Sequence, residues 1–292
     1  MHRALITNSY SPTLRQLPYG TARNRNRYLN MQIHRNMKTL LFSSLLLFSL
    51  SIQAQNIDSL TTLASNGNVD AQLSLLDYYM GQNNRAKAFE YLQAAAANNH
   101  APSQYTMGIV SQQQGDSEAA LKFLRASAGQ NYLPAKHDLG VFYMNGWGVE
   151  PSMEEALKLF KEAADKGYAD SQNNMGNIYY NGAGVGQNYV EAKRYYELAV
   201  GQGSARAQFN LGAMYMDGKG VEKNMSKAVE LFTLAGGQGH LESQKNLGVI
   251  YKLGMGVEVD LAKAQYWFGM AGRQGDEDAM KAFLELNKGG GQ

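Results

Sequence analysis

Residues 207–240 read AQFNLGAMYMDGKGVEKNMSKAVELFTLAGGQGH, and the same phrase returns 36 residues to either side. Its Leu211-Gly212 pair is matched by Leu139-Gly140, Met175-Gly176 and Leu247-Gly248. A fixed period of this size marks a stacked repeat architecture rather than a domain wrapped around one core. Counted from the small residue that opens each unit, the chain steps through Ala71, Ser103, Ala135, Ser171, Ala207, Ser243 and Ala279. The register predicts six units (71–102, 103–134, 135–170, 171–206, 207–242 and 243–278) and a terminal half-unit.

Within a unit, the positions four, five and eight residues after the opening share one helical face. The fifth is glycine in most units, which suggests a point where two helices come too close for a side chain. The eighth is Tyr79, Tyr143, Tyr179, Tyr215 or Tyr251, with Ser111 the exception. This tyrosine stripe reads as core. A second helix follows, marked by Ala88, Ala120, Ala156, Ala192, Ala228 and Ala264, each with large apolar residues three and four places on. Asn84, Asp116, Ser152, Asn188, Asn224 and Asp260 precede those alanines by four and belong to the N-cap set. Ser152–Glu155 and Asn188–Glu191 extend this toward capping boxes. The second helices end at Asn99, Asn131, Gly167, Gly203, Gly239 and Gly275, residues that tolerate a left-handed C-terminal cap. Pro102, Pro134, Asp170 and Glu242 suit first helical turns; Arg206, in the same register, departs from that pattern. Gly146-Trp147-Gly148, Gly182-Ala183-Gly184, Gly218-Lys219-Gly220 and Gly254-Met255-Gly256 form a glycine turn in the four longer units. The two shorter units lack it.

The pattern Ala207-Gln208-Phe209-Asn210-Leu211-Gly212, Tyr215, Gly218-x-Gly220-Val221, Ala228, Gly239 resembles the Sel1-like repeat, a relative of the tetratricopeptide repeat with an extended turn. The resemblance covers about 71–287 and is most specific over the four 36-residue units. It implies an all-α fold: a right-handed α/α solenoid of stacked helix-turn-helix repeats with a helical cap at each end. Residues 55–70 supply the leading cap. Residues 279–292 supply a closing helix, beginning in 276–287, and a glycine tail. Some members carry a disulfide in each repeat. This chain has no cysteine, so packing and caps must hold it.

The front end is different in kind. No acidic residue precedes Asp58, and residues 1–54 hold six Arg and one Lys. Met37-Lys38-Thr39 opens an apolar run from Leu40 to Ile52 that ends in Gln53-Ala54-Gln55. A charged start, a short apolar stretch and a small residue describe a secretory signal peptide over 37–54, cleaved near Ala54. The run is too short to span a bilayer comfortably, and no transmembrane segment is expected in the mature chain. Residues 1–36 read as lying upstream of the true start, at Met31 or Met37, or as a disordered basic arm. Of the chain's 27 basic residues, 20 remain after residue 54, against 25 acidic. A mildly acidic body argues against nucleic acid, whose recognition draws on basic surface.

Nothing in the sequence assembles a catalytic site, a metal site or a cofactor site. Gly182-x-Gly184-x-Gly186 recurs as a turn with no strand before it and is not read as a phosphate loop. His100, His137 and His240 fall in different units and make no ligand pair. Ser-x-x-Lys and Gly-x-Ser-x-Gly are both lacking.

By analogy with tetratricopeptide stacks, the first helices line a concave face, with positions two, six and nine after each opening pointing into it. The expected partner-binding residues are Tyr105, His137, Val141, Met144, Asn173, Asn177, Tyr180, Phe209, Met216, Lys245 and Lys252. The competing reading packs several of them against neighbouring helices. Asn174, Asn210 and Asn246 are expected to bond backbone within the stack. Trp147, between two turn glycines, is either the cover of a hairpin tip or an exposed anchor. The expected function is a non-enzymatic interaction scaffold of the bacterial envelope, periplasmic or secreted, that binds a protein partner. One specific form would be an immunity or inhibitor protein for a toxic effector. Other classes are a peptidoglycan- or glycan-binding module and, last, a cell-wall or lactam hydrolase.

Overall fold

The computed structural model describes residues 57–289. The basic leader and the signal peptide expected over 37–54 lie outside the described residues. Fourteen helices cover the described stretch, and among the described residues there is no strand. They are α1 Ile57–Ser65, α2 Val69–Gly81, α3 Arg85–Ala97, α4 Ala101–Gln113, α5 Ser117–Gly129, α6 Leu133–Asn145 and α7 Met153–Asp165. Then come α8 Ala169–Asn181, α9 Tyr189–Val200, α10 Ala205–Asp217, α11 Met225–Gly237, α12 Leu241–Leu253, α13 Leu261–Arg273 and α14 Glu277–Gly289. The result is an all-α repeat solenoid built from stacked helical hairpins. The chain divides into two compact units at Ala163/Ala164.

The opening residues sit at the crowded centre of each hairpin: Ser103, Ala135, Ser171, Ala207 and Ser243 are fully buried. Five places on, glycine allows the two helices to touch. A Cβ on Gly140 would lie 2.8 Å from Phe160, on Gly176 2.5 Å from Tyr196, on Gly212 2.8 Å from Phe232 and on Gly248 2.6 Å from Phe268. Each of these aromatics stands four residues after the alanine that marks its second helix, and Phe160 and Phe232 are wholly buried. In α4–α5 Leu124 takes the aromatic's place and would lie 3.0 Å from a Cβ on Gly108.

Every expected N-cap of a second helix forms. Asn84, Asp116, Ser152, Asn188, Asn224 and Asp260 accept from backbone N–H groups of the first turn at 2.9–3.2 Å. The capping boxes do not close. The cap's own backbone N–H donates instead to the residue eight places after the unit's opening, Ser152 to Tyr143 O (2.9 Å) and Asn188 to Tyr179 O (2.8 Å). Glu191, released from that task, pairs with Arg194 at 2.9 Å. The same backbone bond joins Asn84 to Tyr79 and Asp116 to Ser111 in the short units, and Asn224 to Tyr215 and Asp260 to Tyr251 in the long ones. The four extra residues of the long units are therefore looped out of a turn whose two ends stay tied. Gly146, Gly182, Gly218 and Gly254 cap their first helices in the left-handed conformation (φ 67–72°), which glycine adopts without a Cβ penalty. Asn99, Asn131, Gly167, Gly203, Gly239 and Gly275 all close second helices at positive φ.

A buried amide ladder runs through the hairpins, and the reading of the sequence had passed over it. The residue after the opening is Gln72, Gln104, Gln172, Gln208 or Gln244, each at most 7% exposed. Its Nε2 donates to a carbonyl at the end of the preceding second helix: Ala64, Ala96, Ala164 and Gly236 at 2.8–3.2 Å. Its Oε1 accepts from the amide that ends its own second helix: Asn98, Gln130, Gln202, Gln238 and Gln274 at 2.7–3.1 Å. Helix ends leave carbonyls without partners, and a buried unpaired one costs about 1–3 kcal/mol. Lys136 takes the glutamine's place in the third hairpin; the end amide's register there holds Lys166, and Lys136 pairs instead with Glu162, one turn earlier on α7. Arg206 also has its explanation: its guanidinium meets Asp170, which holds the same register one hairpin earlier, at 3.1 Å.

The tyrosine stripe packs against the core clusters with one ring face covered by a cation. Lys87 lies 4.9 Å over Tyr79, Arg125 5.8 Å over Tyr143, Lys227 4.7 Å over Tyr215 and Lys263 5.1 Å over Tyr251. Such contacts add about 0.5–1 kcal/mol where exposed.

Two predictions follow from this packing. Gly212→Ala forces a Cβ against the immobile Phe232 ring and should cost about 1–3 kcal/mol. Gly237→Ala, with nothing within 4 Å and a helical backbone, should gain about 0.4–1 kcal/mol. Urea unfolding followed by circular dichroism measures both, and equal effects would contradict the close approach. The second concerns His240, which caps α12 through Nδ1, accepting from Ser243 N–H at 3.3 Å. Burial, then the nearby Arg206 guanidinium, lowers its pKa from 6.5 to about 4. The fold thus holds a neutral ring, while the unfolded chain takes up a proton below its ordinary value. This contribution is complete above pH 6.5 and is lost as pH falls toward about 4, by about 3 kcal/mol at most. His240→Asn keeps a capping oxygen and should flatten that part of the stability profile. An unchanged slope would show that other groups carry it.

Candidate functional site

The residues at positions two, six and nine of the first helices divide between the two compact units. In the unit ending at Ala163, Tyr105, His137 and Val141 are buried, at 4%, 7% and 3% exposure. The Tyr105 hydroxyl donates to Asp138 Oδ2 at 2.8 Å, and its ring lies 5.4 Å from that of Tyr132. His137 packs 5.5 Å from the Phe160 ring. Met144 keeps part of its side chain exposed. Trp147 packs edge-on to Phe142 at 5.5 Å and borders the core of this unit while retaining some exposure. It covers the hairpin tip.

In the unit beginning at Ala164, Asn173, Tyr180 and Met216 are buried, and Asn177, Phe209, Lys245 and Lys252 are partly exposed. A polar network ties this patch together. Asn210 Nδ2 donates to Asn173 Oδ1 (2.9 Å) and Asn177 Oδ1 (3.0 Å), and the Tyr196 hydroxyl donates to Asn177 Oδ1 (2.7 Å). The sequence led us to expect Asn210 to bond backbone; it bonds side chains, because the facing position one hairpin earlier is also asparagine. Phe209 stacks 4.8 Å from His240 and 5.7 Å from Phe232. Sequence reasoning kept Phe209 and His240 apart, since they lie in different helices and only the stacking of hairpins joins them.

Two cations sit differently on this patch. Burial pulls Lys245 down, but Asp276 at 2.9 Å and Glu242 at 3.5 Å outweigh it and hold the ammonium above its usual pKa. Lys252 lies in the last turn of α12, where a cation complements the helix dipole. Burial raises the Tyr180 phenol, and the Lys219 ammonium, 5.3 Å over its ring, works against that rise. The arrangement offers amide, aromatic and ammonium groups on a rigid helical face, the chemistry of polypeptide recognition. Among the described residues, no group of three or more His, Asp or Glu is placed to hold a metal ion. No helix among them is long and apolar enough to cross a membrane.

Comparison with known proteins agrees with the architecture. The Sel1 repeat matches residues 72–100, 133–168, 169–204, 205–240 and 241–276, passing over the stretch that forms α4 and α5. A Sel1 repeat protein from Oxalobacter formigenes superposes with a TM-score of 0.63 and 29% identity, covering 77% of this chain and 87% of that one. A protective antigen present in uropathogenic Escherichia coli strains, displaying an SLR fold, superposes with a TM-score of 0.69 and 28% identity. That match covers 80% of this chain and 52% of the antigen, so the chain spans about half the antigen's length. No curated protein matches significantly. With its repeats matched over more than half of its length and its hairpins stacked in the same way, the chain belongs to the Sel1 repeat family.

Proposed function

We propose that this chain is a non-enzymatic protein-interaction scaffold of the bacterial envelope, exported through the segment 37–54 and binding a protein partner on its first-helix faces. The observation that carries the reading is the patch on α8, α10 and α12. Partly exposed Asn177, Phe209, Lys245 and Lys252 stand there on a floor of buried Asn173, Tyr180 and Met216. Buried residues set the shape of such a surface, and partly exposed ones supply the contacts. In the other unit the contact falls to Met144 and Trp147, which are partly exposed where Tyr105, His137 and Val141 are buried. Aromatic side chains in shaped surroundings carry much of the energy in protein interfaces. Export is supported by the charged start and apolar run of 37–54. The uropathogenic E. coli relative, described as a protective antigen, fits a location outside the cytoplasm. The organisation carried forward is a leader, a capping helix, six repeats over 71–278 and a closing helix.

Two experiments test this reading. Affinity capture with the exported protein as bait should retain a stoichiometric protein partner. Lys252→Glu and Phe209→Ala should each weaken capture about tenfold or more, in line with interface hot spots, while helical circular dichroism stays constant. Loss of helicity in step with binding would remove the patch assignment. Tyr180→Ala, at a buried site, is expected to lower stability as well. N-terminal sequencing of the exported protein should begin near Gln55; a chain beginning at Met1 or Met37 would overturn the export reading.

A further inference from the structure

We propose that copies of this chain associate head to tail, with α1 of one copy seating on α14 of the next in the place that a second helix takes in the other hairpins. This surface is separate from the first-helix patches.

The two ends are complementary halves of one hairpin. α1 has the marks of a second helix, and no first helix precedes it among the described residues. It closes on Gly67 at φ 85°, as α3 closes on Asn99 at φ 63°. Gln72 donates to its Ala64 carbonyl just as Gln104 donates to Ala96. α14 has the marks of a first helix, and no second helix follows it among the described residues. It opens on buried Ala279, capped by Asp276 at 2.8 Å.

Both halves expose leucine where complete hairpins are closed. Leu63 holds the register of Ala95, Ser127, Ala163, Ala199, Ala235 and Ala271, all fully buried, yet is 47% exposed. Leu284 holds the register of the contact glycine Gly248 and is 49% exposed. The first hairpin shows how a leucine there is accommodated: Leu76, in that register, shares a buried cluster with Leu92. Leu60 of α1 stands in the register of Leu92. Leu284 against Leu60 of a second copy would repeat that pairing.

The amide ladder stops at this end, where Met280 stands in the glutamine's register. A depression of about 500 Å³ remains there, lined by Gly272, Gly275, Met280 and Leu284 together with charged residues of α14 and its cap. One hairpin earlier, Gln274 occupies the equivalent place and donates to the Gly239 carbonyl at 3.0 Å. In the first hairpin the shorter Asn98 sets its Oδ1 against Gly67 and donates from Nδ2 to Gln72 Oε1. Asn66 continues that register on α1 and is exposed. The contact joins two different surfaces, so it does not close at a dimer unless a ring forms.

The test uses the protein purified from bacterial cells, with the N-terminus that the cells give it and its protomer mass read by mass spectrometry. Sedimentation velocity over a hundredfold concentration range should show the average mass rising past two protomers. Leu63→Glu and Leu284→Glu should each stay at one protomer with unchanged circular dichroism. Mixed in equal amounts, they should form a species of two protomers and no larger, because each supplies the end that the other has lost. The milder Leu284→Ala, which removes the pairing with Leu60 of the second copy, should weaken association about tenfold, and decides the matter if a glutamate variant fails to fold. A wild-type chain that stays at one protomer throughout overturns the proposal. So does Leu63→Glu associating as wild type, which would mean that α14 pairs with itself.

Discussion

The contact between a bare glycine on each first helix and a buried ring on the second governs most of what surrounds it. Gly140, Gly176, Gly212 and Gly248 leave room for Phe160, Tyr196, Phe232 and Phe268 at distances no Cβ tolerates. The approach brings backbones close, and close backbones bury the carbonyls at helix ends. Those carbonyls need donors, and the glutamine after each opening residue provides them. Small openings, contact glycines and buried glutamines are thus three consequences of one interhelical distance.

Without a disulfide, a stack of hairpins depends on neighbour contacts, and here each hairpin is tied to the one before it through polar side chains as well as packing. Gln72, Gln104, Gln172 and Gln244 bridge two second helices at once. In the third hairpin the amide pair is gone, and Lys136 turns to Glu162, one turn before the end-amide register. Partially buried ion pairs carry a desolvation cost, so this hairpin holds its register by charge where its neighbours use neutral groups. Arg206 and Asp170 do the same at the surface, across one repeat.

The functional faces inherit this order. The residues facing the first-helix side are fixed by repeat register, while packing decides how deep each one lies. Asn177, Phe209 and Lys252 stay partly exposed, whereas Asn173, Tyr180 and Met216 are buried. The asparagine network under that patch is itself a product of stacking, since Asn210 meets partners 33 and 37 residues away.

Much of the architecture was legible in the sequence because its determinants are local. A cap needs Asn, Asp or Ser at a set distance from a helix. A left-handed residue needs Gly or Asn, and a helix face needs apolar residues at the right spacing. Those requirements recur with the period, so the hairpins, their ends and the contact glycines could all be read from one dimension. The capping boxes could not, because the N–H groups of Ser152 and Asn188 are claimed by Tyr143 and Tyr179, carbonyls that only the closed turn brings within reach. Arg206 looked like an exception until Asp170 came alongside it. Gln208 was visible at a constant offset, but its role depends on a carbonyl and an amide from two other helices. The depth of Tyr105, Tyr180 and Phe209 was likewise settled by packing, because burial is a property of what lies opposite a side chain, and the period alone does not say how tightly neighbouring hairpins close.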